Sequence, residues 1–114
     1  MAITNSEVNG TVDVLTVPAG KSYAVTSILI TNVGPEDATG GEDSNFTLYA
    51  VTGSYSSNAS MIVNNALLPG AETFTLDTEK IVLGAGDFIR VAQSGTTLNP
   101  GGNNLSVVVS YLEV

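Results

Sequence analysis

The chain predicts an all-β fold: an antiparallel β-sandwich, jelly-roll-like, of seven to eight strands. Three observations carry that prediction. Extended apolar segments recur about every 8–15 residues between Gly, Pro and Asn turns, and no stretch keeps a helical period of useful length. Three stretches then repeat one design: Val-Pro-Ala-Gly-Lys-Ser-Tyr-Ala-Val at 17–25, Leu-Pro-Gly-Ala-Glu-Thr-Phe-Thr-Leu at 68–76 and Leu-Gly-Ala-Gly-Asp-Phe-Ile-Arg-Val at 83–91. Each passes from an aliphatic residue through a Pro/Gly/Ala corner to one charged residue (Lys21, Glu72, Asp87) and on into an apolar segment. Proline presets φ and glycine permits positive φ, so such a corner ends one strand and redirects the next, leaving the charge wet. Finally, 43% of residues are hydrophobic and only 12% charged, against a usual ~25% charged. Thr, Ser, Asn and Gly supply the polar remainder, as turns and solvent-facing strands require.

The elements follow in order. Residues 1–10 are polar and end in the turn dipeptide Asn9-Gly10, which reads as an N-terminal arm preceding a sandwich domain over 11–114. Alternatively, Asn9-Gly10 closes a hairpin between a short strand over 3–8 and the next segment. Residues 11–17 alternate, with Val12, Val14 and Thr16 on one face and Leu15 and Val17 on the other. Residues 22–32 form the longest strand, with Ala24, Thr26, Ile28 and Ile30 opposite Tyr23, Val25, Ser27, Leu29 and Thr31. Aliphatics on both faces predict a central strand partly covered on both sides.

Gly34-Pro35 breaks that strand and opens an acidic loop over 36–44. Strands follow at 45–52, 60–68 and 72–76, then a turn at 77–80, a brief strand at 81–83 and another at 87–93. The loop over 94–104 holds too many Gly, Pro and Asn residues for a regular element. In the last strand, 105–114, Leu105, Val107, Val109 and Tyr111 share one face, which ties the C-terminus into a sheet.

A chain of 114 residues suits one domain, burying roughly two-thirds of its unfolded surface. Three basic residues against eleven acidic ones give a net charge of −8. That field repels phosphate backbones and anionic lipid, so neither nucleic acid nor a membrane is an expected partner. The sparse charge on an apolar chain points instead to surface covered by other protein. The polar start shows no export-signal pattern, and no run approaches the ~20 apolar residues of a membrane helix.

Chemistry is hard to assemble from these residue types. Cys and His are absent, removing disulfides, thiolates, imidazole bases and most zinc sites. Gly84-Ala85-Gly86 lacks the Gly-Lys-Ser/Thr of a phosphate loop and lies between strands. A carboxylate pair acting on a glycoside has no Trp beside it for sugar stacking. The chain therefore reads as a non-enzyme with no catalytic residue, cofactor or assigned metal site. The residual metal candidate is the acidic loop, where Glu36, Asp37, Glu42 and Asp43 offer oxygen ligands for Ca²⁺, at a spacing unlike the EF-hand loop. A solvated loop that keeps the particle soluble is the competing reading.

Asn-X-Ser/Thr occurs at Asn9, Asn45, Asn58 and Asn104, as chance allows in so Asn- and Ser-rich a chain. Tyr23, Phe46, Phe74 and Phe88 fall in core positions. Interface candidates are Tyr49, Tyr55 and Tyr111, since aromatics are enriched at interfaces, together with Ile3, Glu7 and Val8 of the arm.

A wider pattern joins these strings: Thr-Val-Pro-Ala-Gly-Lys, a strand ending Ile-Leu-Ile-Thr-Asn, Leu-Leu-Pro-Gly-Ala-Glu-Thr-Phe-Thr-Leu, Val-Leu-Gly-Ala-Gly-Asp-Phe-Ile-Arg-Val, and a terminal Leu-Ser-Val-Val-Val-Ser-Tyr-Leu-Glu-Val. Over about residues 14–114 the chain resembles the small β-sandwich structural proteins of tailed bacteriophage virions. These include capsid cement (decoration) proteins and tail or neck accessory proteins. The resemblance implies no catalytic residues. It implies a protein made in the host cytoplasm that binds the capsid exterior. There it would contact the major capsid protein as a homo-oligomer, a dimer or trimer, and bridge neighbouring capsomers, with the arm laid across a neighbour. The alternative is a tail, neck or fibre-associated module for attachment or receptor and glycan binding, with loops 53–59 and 94–104 as its binding end.

Circular dichroism tests the fold class directly. The spectrum should show strand with almost no helix, and a helical content above a few per cent would overturn the prediction.

Overall fold

The computed structural model describes residues 2–53 and 60–114, which form eight strands and no helix. These are β1 (Ala2–Val8), β2 (Thr11–Thr16), β3 (Tyr23–Asn32), β4 (Ser44–Val51), β5 (Met61–Leu68), β6 (Thr73–Leu83), β7 (Phe88–Ser94) and β8 (Leu105–Glu113). Two four-stranded sheets result, ordered β1-β8-β3-β6 and β2-β7-β4-β5. Every pairing is antiparallel. The pairs β1·β8, β2·β7, β3·β6 and β4·β5 are what one long antiparallel ribbon makes when it is rolled up around a core. Additional pairs, β3·β8 and β4·β7, complete each sheet. This is the jelly-roll arrangement, and the two sheets pack face to face as a sandwich.

The facing sides supply the core. Val25, Ile28 and Ile30 of β3 and Val107 and Val109 of β8 meet Leu48 of β4 and Ile89 and Val91 of β7, all fully buried. Phe46 of one sheet and Phe74 of the other touch across the interior, with ring centroids 5.1 Å apart. Each large side chain so buried contributes about 1.5–3 kcal/mol.

Several segments differ from the sequence expectation, each for a local reason. In β3 the register shifts between Val25 and Ser27 against both neighbours. Against β8 Thr26 is the extra residue, whereas against β6 the extra residues lie in β6; Thr26 Oγ1 donates to the Ser110 carbonyl at 3.1 Å. The bulge switches the inward parity from Tyr23 and Val25 to Ile28, Ile30 and Asn32, and the outward residues of β3 stay half-buried, as expected of a central strand. In β2 a shift between Asp13 and Leu15 turns both Val14 and Leu15 inward. The turn expected at 77–80 is instead part of β6, whose backbone runs on as one strand through a register shift against β3.

The N-terminal arm is also corrected. Residues 2–8 are an edge strand of the sandwich, paired along their whole length with β8 from Ala2↔Tyr111 to Val8↔Leu105. Thr4 and Ser6 point partly inward and Val8 is in the core, so even a polar strand is held by the ladder and one anchor. Nor does Asn9-Gly10 close a hairpin, because it carries the chain from one sheet to the other.

The three repeated corners fold into one turn. The bonds Lys21 N–H to Pro18 O, Glu72 N–H to Pro69 O and Asp87 N–H to Gly84 O each close four residues. In each, the third residue has positive φ: Gly20 (78°), Ala71 (65°) and Gly86 (84°). The first and third corners interlock at one end of the sandwich, through Val17 N–H to Asp87 O and Gly86 N–H to Val17 O. The second lies at the opposite end and is out of step, with alanine in the left-handed position and glycine before it. The cause is packing: a Cβ on Gly70 would stand 2.1 Å from the Pro35 carbonyl oxygen. Asp87 departs from the wet shoulder expected of it, since its carboxylate accepts from the amides of Gly84 (2.8 Å) and Gly53 (3.2 Å).

Gly70→Ala should therefore lower stability by about 2–3 kcal/mol through overpacking. Ala71→Gly exchanges a left-handed penalty of about 1 kcal/mol for a similar entropic cost, and should fall within about 0.5 kcal/mol of the parent. Urea unfolding midpoints check the contrast, and equal effects would refute it.

Candidate functional site

Four connections gather at one end of the sandwich: the β1–β2 corner, loop 33–43, corner 69–72 and loop 95–104. Two carboxamides join the last three of these. Asn32, the last residue of β3, is 1% exposed. Its Nδ2 donates to the carbonyls of Glu42 (2.7 Å) and Leu68 (2.9 Å), and its Oδ1 accepts from Gly34 N–H at 2.9 Å. Asn103 Nδ2 donates to Glu42 Oε2 (2.6 Å), Glu42 O (2.8 Å) and Asn32 Oδ1 (3.3 Å). The Asn103 backbone is clamped by buried Ser44, whose Oγ donates to Asn103 O (2.9 Å) and accepts from its N–H (2.5 Å). Asn99 Nδ2 donates to Asp43 O at 3.2 Å. Among the described residues no buried side-chain nitrogen or oxygen lacks a partner. Nothing local in the sequence marks Asn32, Ser44 and Asn103, because each bonds at least one partner 36 to 71 residues away.

The acidic loop is organised by these bonds. Asp37 Oδ1 accepts from Thr39 Oγ1 (2.7 Å) and Thr39 N–H (2.9 Å), and these bonds hold its carboxyl below the usual carboxylate range. The Glu42 carboxylate faces Asn103. Exposed Glu36 and half-buried Asp37 line, with Glu72, a cleft of about 430 Å³ between residues 36–38 and 69–72. Among the described residues no three acidic side chains converge on a point where a metal ion would sit.

The interface candidates separate. Val8 is fully buried and is not available to a partner. Tyr111 packs against the core and stacks on Tyr23, with centroids 4.5 Å apart, so its ring serves the fold. Tyr49 lies on the outer face of the second sheet, in register with Arg90 and Met61. There Arg90 pairs with Asp13 (2.6 Å) and lies over the Phe88 ring at 5.0 Å. Ile3 is 63% exposed. Glu7 is exposed and accepts from Asn104 Nδ2 at 2.5 Å. Tyr55 lies outside the described residues. Of the two loops expected to form one binding end, residues 54–59 lie outside the described residues; Gly53 N–H donates to Asp87 just before β7, and loop 94–104 follows the end of that strand.

The surface left open is the outer face of β1-β8-β3-β6. Its rows, read across the registers, are Glu7–Ser106–Thr31–Thr73, Asn5–Val108–Leu29–Thr75, Ile3–Ser110–Ser27–Asp77 and Leu112–Ala24–Val82. Ile3, Val82 (59%) and Leu112 (38%) are its exposed large aliphatics. Hydroxyls fill half of the other positions, with Thr31 and Thr73 bonded at 2.8 Å. Of the positions in these rows only Glu7 and Asp77 are charged. The Lys21–Glu113 pair (2.7 Å) stands at the corner, where Glu113 raises the lysine pKa by hydrogen bond and charge.

No protein-family model matches the chain, and no curated protein matches it in sequence. Among solved structures it is similar to that of infectious bursal disease virus, Gx strain. The identity is 12% and the TM-score 0.40, over 94% of this chain and 29% of that one. The chain thus spans under a third of that viral chain's length. Its own jelly-roll assignment rests on the strand order above.

Asn103→Ala should cost about 1–3 kcal/mol, because it removes the amide donor from the half-buried Glu42 carboxylate and a second donor from Glu42 O and Asn32 Oδ1. Glu36→Gln should be near neutral, and a calcium chelator should leave the melting temperature unchanged. Thermal and urea unfolding check all three; a chelator-induced fall in melting temperature would restore the calcium reading.

Proposed function

We propose that this chain is a non-enzymatic virion structural protein: a capsid cement protein on the shell exterior that contacts the major capsid protein and bridges neighbouring capsomers. The observation that carries this reading is the outer face of β1-β8-β3-β6. It is an aliphatic and hydroxyl-lined sheet surface on a chain of net charge −8, with only Glu7 and Asp77 charged in its rows. Such a face suits contact with protein, since interface cores are depleted of charge and charge at the rim sets register. The resemblance of residues 14–114 to small phage virion proteins points the same way. A dimer or trimer would multiply a modest single contact through effective concentration, giving firm attachment from weak units.

In this reading β1 acts as part of the docking sheet rather than as a free arm. Deleting residues 1–10 would expose the β8 edge and empty the site of Val8, so outward substitutions are the cleaner probe. The tail, neck or fibre reading would rest on loop 94–104, which follows β7 at the end opposite Gly53.

Copy number per purified particle, measured by mass spectrometry, separates the two: hundreds for a cement protein, a dozen or fewer for a tail module. Ile3→Asp with Leu112→Asp should reduce shell occupancy at least about tenfold, equivalent to ~1.4 kcal/mol, while the melting curve stays close to the parent. Unchanged occupancy would overturn the assignment of this face.

A further inference from the structure

The corner between the sheets holds the sequence's one Asn-Gly pair, Asn9-Gly10. In such a pair the following backbone nitrogen attacks the asparagine side-chain carbonyl carbon, the amide nitrogen leaves as ammonia, and a five-membered succinimide forms. Water then opens the ring at either carbonyl, giving aspartate or isoaspartate. The balance is one water consumed and one ammonia released, with no oxidant or reductant. Glycine as the second residue offers the least steric resistance to ring closure. Asn9 is exposed, so water reaches it freely.

The attacking nitrogen, however, is occupied. Gly10 N–H donates to Gln93 Oε1 at 3.1 Å, and Gly10 O accepts from Gln93 N–H at 2.7 Å. Gln93 is itself fixed: it is 8% exposed, and its Nε2 donates to Gly101 O at 3.2 Å. The same Nε2 lies 2.1 Å from where a Cβ on Gly102 would stand, so loop 95–104 closes against the carboxamide and keeps its oxygen on the Gly10 amide. Ring closure requires that amide to lose its proton and turn toward Asn9 Cγ, and the bond to Gln93 opposes both.

We propose that Asn9 is this chain's site of spontaneous deamidation and that the Gln93 carboxamide sets its rate. An isoaspartate product would insert one backbone carbon into a two-residue corner. It would pull against Val8 in the core and so loosen β1 from β8.

The test incubates the full-length protein and its Gln93→Ala and Gln93→Asn variants under mildly alkaline conditions, and peptide mapping follows the mass gain of about 1 Da at each asparagine. Losing one hydrogen bond of about 1 kcal/mol predicts roughly fivefold faster conversion at Asn9 in both variants, with loss of Gly10 amide exchange protection. The shorter Asn side chain keeps the polarity but lacks the reach. If Gln93→Ala does not fold, the Gln93→Asn variant and a comparison of native with urea-unfolded protein decide, the native chain being the slower by fivefold or more. Equal rates in parent and folded variants would overturn the proposal. So would a native Gly10 amide that exchanges as fast as in urea, or another asparagine converting first.

Discussion

A β-sandwich must end somewhere, and at its ends the backbone leaves the ladders with amides and carbonyls still to satisfy. Here the end carrying the longest loops is held by the Asn32 carboxamide. It sits where β3 stops and bonds the loop toward β4, the last carbonyl of β5 and the Asn103 side chain. In a low-dielectric site each of those groups would cost roughly 1–3 kcal/mol if left bare. Because one side chain touches three connections, the acidic loop, the second corner and loop 95–104 are fixed as a unit. The acidic residues are then orientated by protein donors, and Gln93 is braced for its contact with Gly10.

The other end is built differently. There the first and third corners exchange backbone bonds, and the Asp87 carboxylate covers two amides. Both ends are thus closed by short, directional bonds, while the length between them is closed by aliphatic packing. Bulges at Val14 and Thr26 adjust the inward faces so that both halves of a strand can reach the same core. The outer faces inherit that adjustment: the Thr26 bulge lets Ser27, Leu29 and Thr31 face out alongside Ile3 and Val108.

In the proposed role, function lies in surface shape and chemistry. Its two outer faces differ, one bearing the Asp13–Arg90–Tyr49 row and the other mostly aliphatic and hydroxyl groups. The second kind of face adapts to a protein partner with little desolvation cost, since hydroxyls can turn toward either donors or acceptors. Ala2 pairs with Tyr111, and Val114 N–H bonds to Ser22 O, at the end of the sandwich opposite the long loops.

Much of the fold was legible because its determinants are local. Period-two alternation marked most strands, and Pro/Gly corners marked the turns, two of them down to the glycine that takes positive φ. The inward row Leu105, Val107 and Val109 followed from alternation alone. What alternation cannot reveal is where it breaks. A bulge depends on the register of the neighbouring strand, so the parity switch at Thr26 and the burial of both Val14 and Leu15 emerged only from pairing. Likewise β1 looked like an arm because its residues are polar, and only the β8 ladder makes it a strand. The asparagine network is the clearest case. Asn is a turn residue by local propensity, and buried Asn32 and half-buried Asn103 become anchors only when segments dozens of residues apart bring carbonyls to their amides. Local chemistry determined the strands and corners; long-range pairing decided which faces, ends and side chains hold them together.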